Sequence, residues 1–296
     1  MAITRFLRRR FEDVTEAMER RIIAKPFLDT NGEKGLWAAI ARAPRHRVVR
    51  QRIAVEGWPS TPRPLRVVFL SDLHTGSHSD DLARLAGILD EAARLQPDVA
   101  CLGGDYINGM LFGRGRIPPE VIAEKLSSLQ PPLGSFAILG DHDELFGAER
   151  VARALRTAGL TVLVNDVRRV AFEGAAIHLV GLTPDARALP DLLETVPPGA
   201  PAIVLAHDPA AFAQLPRGPY LMLSGHTHGG QVQLPGLGPF VNMSDAPLRW
   251  SYGPIAEAGR HLYVTSGLGT SFVPFRLLIP PEIAVIEIGA HDPAGR

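Results

Sequence analysis

The sequence is poor in thiols, in long apolar runs and in aromatic side chains. Its 296 residues include one cysteine, Cys101, which excludes a disulfide framework and a thiolate zinc site. Cys101 falls in the apolar stretch "DVACLGG" and reads as a small buried hydrophobe. A chain without disulfides is compatible with a reducing cytoplasm. No stretch approaches the ~20 apolar residues of a membrane-spanning helix. The N-terminus "MAITRFLRRRFEDV" has basic residues but lacks the apolar core of a secretory signal. Net charge is absent too, since 31 Lys/Arg offset 31 Asp/Glu. That balance conceals segregation: residues 1–60 carry 13 Lys/Arg against 7 Asp/Glu, and the remainder 18 against 24. The net-acidic remainder shows no basic, aromatic-rich stripe, which argues against binding to a nucleic-acid backbone.

What is present bounds the architecture. A chain of this length that is 46% hydrophobic buries a substantial core, which excludes a disordered protein and fits one large α/β domain with an appendage. In the appendage Ile3, Leu7, Phe11, Val14, Met18 and Ile22 recur at helical spacing, with Arg5, Arg8, Arg9 and Arg10 around the stripe. Two readings stay open: a helix packed on its own domain, or a basic amphipathic helix on an anionic membrane surface. The chain is accordingly placed in the cytoplasm, with a peripheral position on the inner face of the membrane under the second reading. Three prolines make "GWPSTPRP", residues 57–64, the clearest linker. The expected organisation is an N-terminal basic helical segment and linker over 1–60, and the main domain over 61–296.

Five segments after the linker share one design. The apolar runs of "LRVVFLSDLH", "PDVACLGGDY", "SFAILGDHDE", "PAIVLAHDP" and "YLMLSGHTH" end respectively in Asp72 and His74, in Asp105, in Asp141, His142 and Asp143, in His207 and Asp208, and in His226 and His228. Helical patterns such as "DDLARLAGILDEAARL" separate several of them, as crossover helices would. In layered α/β sheets, ligand and catalytic groups gather at the carboxyl ends of strands, where rigid strands carry loops free to converge. Asp72 and His74 are two apart, and so are His226 and His228, so at a strand end each pair projects to one side. Hard carboxylate oxygens mixed with imidazoles suit Mn, Fe, Zn or Ni rather than calcium.

In order and combination, "SDLH", "GGDY", "GDHD", "AHDP" and "GHTHGG" resemble the motif series of the calcineurin-like metallophosphoesterases over roughly residues 65–288. The tail "TSGLGTSFVPFRLLIPPEIAVIEI" further resembles the bacterial branch that includes membrane-associated phosphoesterases and UDP-2,3-diacylglucosamine hydrolases. The resemblance implies a four-layer α/β/β/α sandwich of two mixed sheets flanked by helices, with two divalent transition-metal ions. It assigns Asp72, His74 and His228 to the first ion, Asp105 to a bridge, and Asp141, His207 and His226 to the second. His142 would stay unligated and act on the leaving group. The implied reaction is hydrolysis of a phosphodiester or pyrophosphate linkage, in a small-molecule or lipid-linked phosphate such as UDP-diacylglucosamine, with a metal-bridging hydroxide as nucleophile. Two alternatives accompany it: a nuclease or nucleotide phosphodiesterase, and a non-catalytic metal-binding module of the same fold.

One position departs from the family's pattern, because Asp141 stands where asparagine is usual. The carboxylate keeps a ligand oxygen at similar reach and adds one negative charge. Other polar residues invite weaker readings. His78 fits a loop residue or a substrate contact at the mouth. Asp143 and Asp208 fit either acceptors that orient an imidazole or turn and capping roles. His46, His178, His261 and His291 match no motif. "GLGTS", residues 267–271, lacks the lysine of a phosphate cradle and reads as a turn beside the site. The irregular apolar segment 235–254, with Trp250 and Tyr252, fits a lid or acyl-chain surface as well as a packed excursion.

Overall fold

Apolar segments rich in Val, Ile and Leu pair into two six-stranded sheets. The computed structural model describes residues 43–78, 80–108, 117–234, 236, 238–239, 241–271 and 274–290. The stripe of residues 3–22 lies outside them, as does His291. The strands in chain order are β1 (Arg47–Val55), β2 (Leu65–Leu70), β3 (Val99–Leu102), β4 (Ser135–Ala137), β5 (Thr161–Val162), β6 (Asp166–Phe172) and β7 (Ala175–Gly181). They continue with β8 (Ala202–Leu205), β9 (Tyr220–Ser224), β10 (Gln233–Leu234), β11 (Gly238–Pro239), β12 (Gly253–Glu257), β13 (Arg260–Val264) and β14 (Glu282–Ala290). The first sheet runs β1-β14-β2-β3-β4-β5 and the second β12-β13-β9-β8-β7-β6, while β10 and β11 form a small ribbon.

Both large sheets are mixed. In the first, β2, β3, β4 and β5 are parallel and β14 runs against β2. In the second, β7, β8, β9 and β13 are parallel, with antiparallel β6 and β12 at the edges. The first sheet extends upstream of residue 61, the expected start of the main domain: β1 pairs in parallel with β14 from Arg47↔Glu282 to Val55↔Ala290.

Side-chain alternation along a strand sorts the core into layers. On β2, Leu65, Val67 and Phe69 face the apolar layer between the sheets, where they join Ile203, Leu205, Leu221 and Leu223. Val68 and Leu70 join the opposite layer, which α1 (Asp81–Arg94), α2 (Pro119–Leu126) and α3 (Asp141–Thr157) cover with Leu85, Ile88, Leu89, Ile122, Leu126, Val151 and Leu155. A third layer lies outside the second sheet, where Val204, Met222, Leu262 and Val264 pack against Leu189 and Leu193 of α4 (Leu189–Glu194) and against Phe212 and Trp250. The result is the four-layer α/β/β/α sandwich. Burial on both faces explains the unbroken apolar runs of β2, β3 and β8. No helix among the described residues is long and apolar enough to cross a membrane.

Candidate metal centre

Each of five strand ends delivers its polar residues to one place. Asp72 and His74 follow β2, Asp105 follows β3, Asp141 and His142 open α3 after β4, His207 follows β8, and His226 and His228 follow β9. Ligand-type atoms of Asp72, His74 and His228 lie within 4.8 Å of one another. The same holds for Asp105, Asp141, His207 and His226, and for His74, Asp105 and His142. All eight residues singled out from the sequence are brought together.

The backbone bends sharply to achieve this. Asp72 (φ 54°), His74 (φ 40°), Asp105 (φ 56°), His226 (φ 65°) and His228 (φ 51°) are all left-handed. That conformation costs an L-residue roughly 1–2 kcal/mol, although Asp and His visit it more readily than most. Hydrogen bonds hold the bends: Asp72 N donates to Gly104 O at 3.0 Å, and His74 N to Asp105 O at 2.9 Å. Gly104 (φ 92°) and Gly140 lock the ends of β3 and β4 together. A Cβ on Gly140 would collide with the Asp105 carboxylate, and one on Gly104 with the Gly140 backbone.

The outer nitrogens of two imidazoles are committed to carbonyls. His207 Nδ1 lies 2.7 Å from Gly103 O, and His226 Nε2 lies 3.3 Å from Met243 O. Each ring therefore donates outward and turns its other nitrogen inward. His207 Nε2 then faces Asp141 Oδ1 at 3.0 Å and Asp105 Oδ2 at 3.3 Å, and His226 Nδ1 faces Asp141 Oδ1 at 3.0 Å. Lone pairs of nitrogen and oxygen would meet there unless a cation, either protons or a metal ion, lies between them. In the other group His74 Nε2 is 3.0 Å from His228 Nε2 and 3.4 Å from Asp105 Oδ2, and His228 Nε2 is 3.6 Å from Asp72 Oδ1. The buried Nδ1 of His74 has no hydrogen-bond partner among the described residues. This donor set of carboxylates and imidazoles fits a pair of divalent transition-metal ions.

Electrostatics divide the two groups. Burial lowers His74 to about 3 against the pull of Asp105, and burial together with His74 and Arg276 holds His228 well below its ordinary value. Both are neutral imidazoles, each with one unprotonated ring nitrogen. At His207 and His226 burial also opposes protonation, but carboxylates outweigh it: Asp105 and Asp141 raise His207 well above the ordinary value, and Asp141 raises His226 to about 9. Asp141 itself is held well below the usual carboxylate range, because His226 and His207 overcome its desolvation. The second group thus demands positive charge, which a metal ion would supply in place of protons.

Several weaker readings resolve. Asp143 orients backbone instead of an imidazole, since its buried carboxylate accepts the N–H groups of Asp105, Tyr106 and Gly140. Burial raises it to about 7, with Asp105 adding to the effect and the N–H donors opposing it. Asp208 caps the short 3-10 helix Pro209–Gln214 through Ala210 N and also accepts from Ser244 Oγ. His78 is buried against Asp81 and Pro274 O. His46 pairs with Glu91, and His178 Nδ1 lies 3.3 Å from Pro201 O. Cys101 is buried, which raises its thiol beyond any reactive range. The "GLGTS" turn does lie beside the site, where Leu268 N donates to Ser71 O and Gly269 N to Asp72 O. In segment 235–254, Trp250 packs edge-on against Phe212 while Val241 and Met243 stay exposed.

Two supporting residues are not singled out by any motif in the sequence. Glu282, fully buried, accepts from Tyr252, Tyr263 and Thr265 and so anchors the turn that packs on Asp72. Arg276 donates to Gly269 O and to His228 O. A lone arginine inside "VPFRLL" was the one hint available.

Comparison with known proteins agrees with this geometry. The family model described as calcineurin-like phosphoesterase matches residues 65–230. The chain is 34% identical over 251 residues to phosphodiesterase YaeI of Escherichia coli (strain K12), covering 81% of this chain and 87% of that protein. It is 30% identical over 231 residues to metallophosphoesterase YkuE of Bacillus subtilis (strain 168), covering 75% and 78%. Against a metallophosphoesterase of Aquifex aeolicus (strain VF5) the identity is 28% over 255 residues, covering 82% and 91%.

Proposed function

Because this chain belongs to the calcineurin-like phosphoesterase family, we propose that it hydrolyses a phosphodiester or pyrophosphate linkage in a lipid-linked nucleotide of the UDP-diacylglucosamine kind. It is a metal-dependent phosphoesterase. The observation that carries the metal reading is the convergence of His207 Nε2 and His226 Nδ1 on one oxygen of Asp141, at 3.0 Å each. Both outer ring nitrogens are already committed to carbonyls.

In this reading Asp72, His74 and His228 hold one ion, Asp141, His207 and His226 hold the other, and Asp105 touches both. When bound, the two ions supply Lewis acidity toward phosphate oxygens and make water a usable nucleophile near neutral pH. The protein's own contribution is placement. Left-handed backbone and carbonyl-fixed imidazoles hold the donors before the substrate arrives, so little reorganisation accompanies the reaction. His142, whose ring lies edge-on to His74 at 4.8 Å between centroids, is the proton donor to the departing oxygen. Its backbone N–H is pinned by Asp105 Oδ1 at 3.0 Å.

The preference for a diester rests on the similarity to a protein named as a phosphodiesterase. The lipid-linked substrate rests on an exposed apolar rim. Met243, whose carbonyl receives His226, is 54% exposed, and Phe275, Leu277 and Leu278, which flank Arg276, are 44%, 46% and 58% exposed. Such a rim beside a polar centre suits a substrate with an acyl part. Purified, Mn-loaded protein assayed against UDP-diacylglucosamine, bis-nitrophenyl phosphate and nitrophenyl phosphate tests the proposal. Turnover of the first two above the third is expected, and turnover of the monoester alone would overturn it.

A further inference from the structure

Arg276 is the inward residue of a segment whose neighbours point out. Phe275, Leu277 and Leu278 are exposed, and backbone hydrogen bonds tie Leu277 to Gln231 and Gln233. The guanidinium between them reaches the metal centre from behind. Its Nε donates to Gly269 O at 2.9 Å, and Nη2 donates to the same oxygen. Its Nη1 donates to His228 O at 3.4 Å, and Nη2 lies 3.1 Å from His228 Nδ1. Gly269 N in turn donates to Asp72 O at 2.6 Å. One planar cation therefore spans the turn packed on Asp72 and the turn that carries His228, which follow the neighbouring strands β13 and β9 of the second sheet, while Asp72 follows β2 of the first.

We propose that Arg276 is a positioning residue for the first metal ion, setting His228 relative to Asp72 so that their donor atoms meet one ion. The proposal rests on the reading of Asp72, His74 and His228 as ligands. The geometry requires arginine. A guanidinium offers several donors in a fixed fork, whereas a lysine ammonium is a point donor on a flexible stem and serves one turn better than two. Outer-shell partners of metal ligands typically contribute 10–100-fold to metal affinity, and Arg276 acts here through the carbonyls of Gly269 and His228. Toward His228 Nδ1 a guanidinium can only donate, so that contact does not set the tautomer of an Nε2 ligand. Among the described residues Arg276 makes no hydrogen bond or ion pair with the second group, so its effect falls on one ion of the two.

The test is a Mn²⁺ titration of the full chain, followed by calorimetry and by electron paramagnetic resonance of the spin-coupled pair. Wild-type protein is expected to take up two ions. R276M, which keeps the stem and loses the donors, should bind the first ion about 10–100-fold more weakly with the second unchanged, and at limiting Mn²⁺ should give a mononuclear signal. R276K should fall between the two. Adding R276M to His207→Ala, which removes a ligand of the second ion, should weaken the remaining ion. R276M with two ions at wild-type affinity would overturn the proposal, and so would equal weakening of both ions, which marks a general tether. Should R276M fail to fold, R276K decides by the same criteria. Wild-type protein that binds fewer than two ions would overturn the ligand reading itself, and the proposal with it.

Discussion

The buried carboxylate of Asp143 accepts the backbone N–H of Asp105 at 2.8 Å. It also accepts those of Tyr106 and Gly140, each at 3.0 Å, so one side chain ties the end of β3 to the start of α3. Removing it strands three N–H groups in a place water reaches poorly, and each such group costs roughly 1–3 kcal/mol. Asp143→Ala is expected to lower stability by about 2–5 kcal/mol and to weaken metal binding through Asp105. Urea unfolding with and without Mn²⁺ checks both, and a loss under about 1 kcal/mol would contradict the clamp.

Asp105 and His142 should fail differently. Asp105→Ala removes the donor that touches both groups and should leave no measurable turnover and less bound metal. His142→Ala removes a proton donor and should cost about 10²–10⁴-fold in rate with both ions retained. Elemental analysis beside steady-state rates separates the two, and matching metal content with matching residual rates would reverse the roles.

Asp141 carries a charge that an asparagine at the same position would lack. Two imidazoles converge on its Oδ1, and the extra charge should tighten the second ion while weakening attraction for an anionic phosphate. Asp141→Asn is expected to raise the Mn²⁺ concentration needed for half-maximal activity, and at saturating Mn²⁺ to keep or raise the rate. An unchanged titration and rate would remove Asp141 from the ligand set.

Metal should also stabilise the fold. An ion that binds the native chain alone at 100 times its Kd adds about 2.7 kcal/mol. Chelator-stripped protein should therefore melt earlier, and the midpoint should recover in proportion to the logarithm of added Mn²⁺. A midpoint indifferent to Mn²⁺ would argue against a centre built from five strand ends.

The rim makes a prediction about substrates. Met243→Ser combined with Phe275→Ser should reduce turnover of an acylated nucleotide several-fold through KM, while bis-nitrophenyl phosphate, which has no acyl chain, should be cleaved as before. An equal loss on both substrates would tie the rim to the metal centre and not to lipid.

The centre was legible because its residues terminate apolar runs. Asp72, Asp105, His207 and His226 each follow a strand buried on both faces, so a break from hydrophobic to ligand-type residues is visible in one dimension. β1 was hidden by the opposite property. "RVVRQRIAV" sets three arginines and a glutamine among its apolar residues along an edge of the sheet, and in sequence it joins the charged segment before the linker. The roles of Asp143 and Arg276 depend on backbone groups brought near by folding, 38 positions away in one case and 48 in the other. Backbone partners leave no residue-type signature, so both side chains look like ordinary charges until the chain is folded.

Gly104 and Gly140 interlock at the ends of β3 and β4 with no room for a single methyl group. A scan that substitutes every position and scores only catalysis would therefore rank these two glycines beside Asp105 and His207, although neither has a side chain to offer a metal. Its loss-of-function map would trace the empty space that lets two strand ends touch as sharply as the donors themselves. Scoring the same library for bound metal would not separate the two classes either, because a displaced Asp105 releases ions as surely as a deleted one. Exogenous acetate would. A small carboxylate can enter the hole left by Asp105→Ala and restore some activity, whereas at Gly140→Ala the space is already filled and nothing added to solution can empty it.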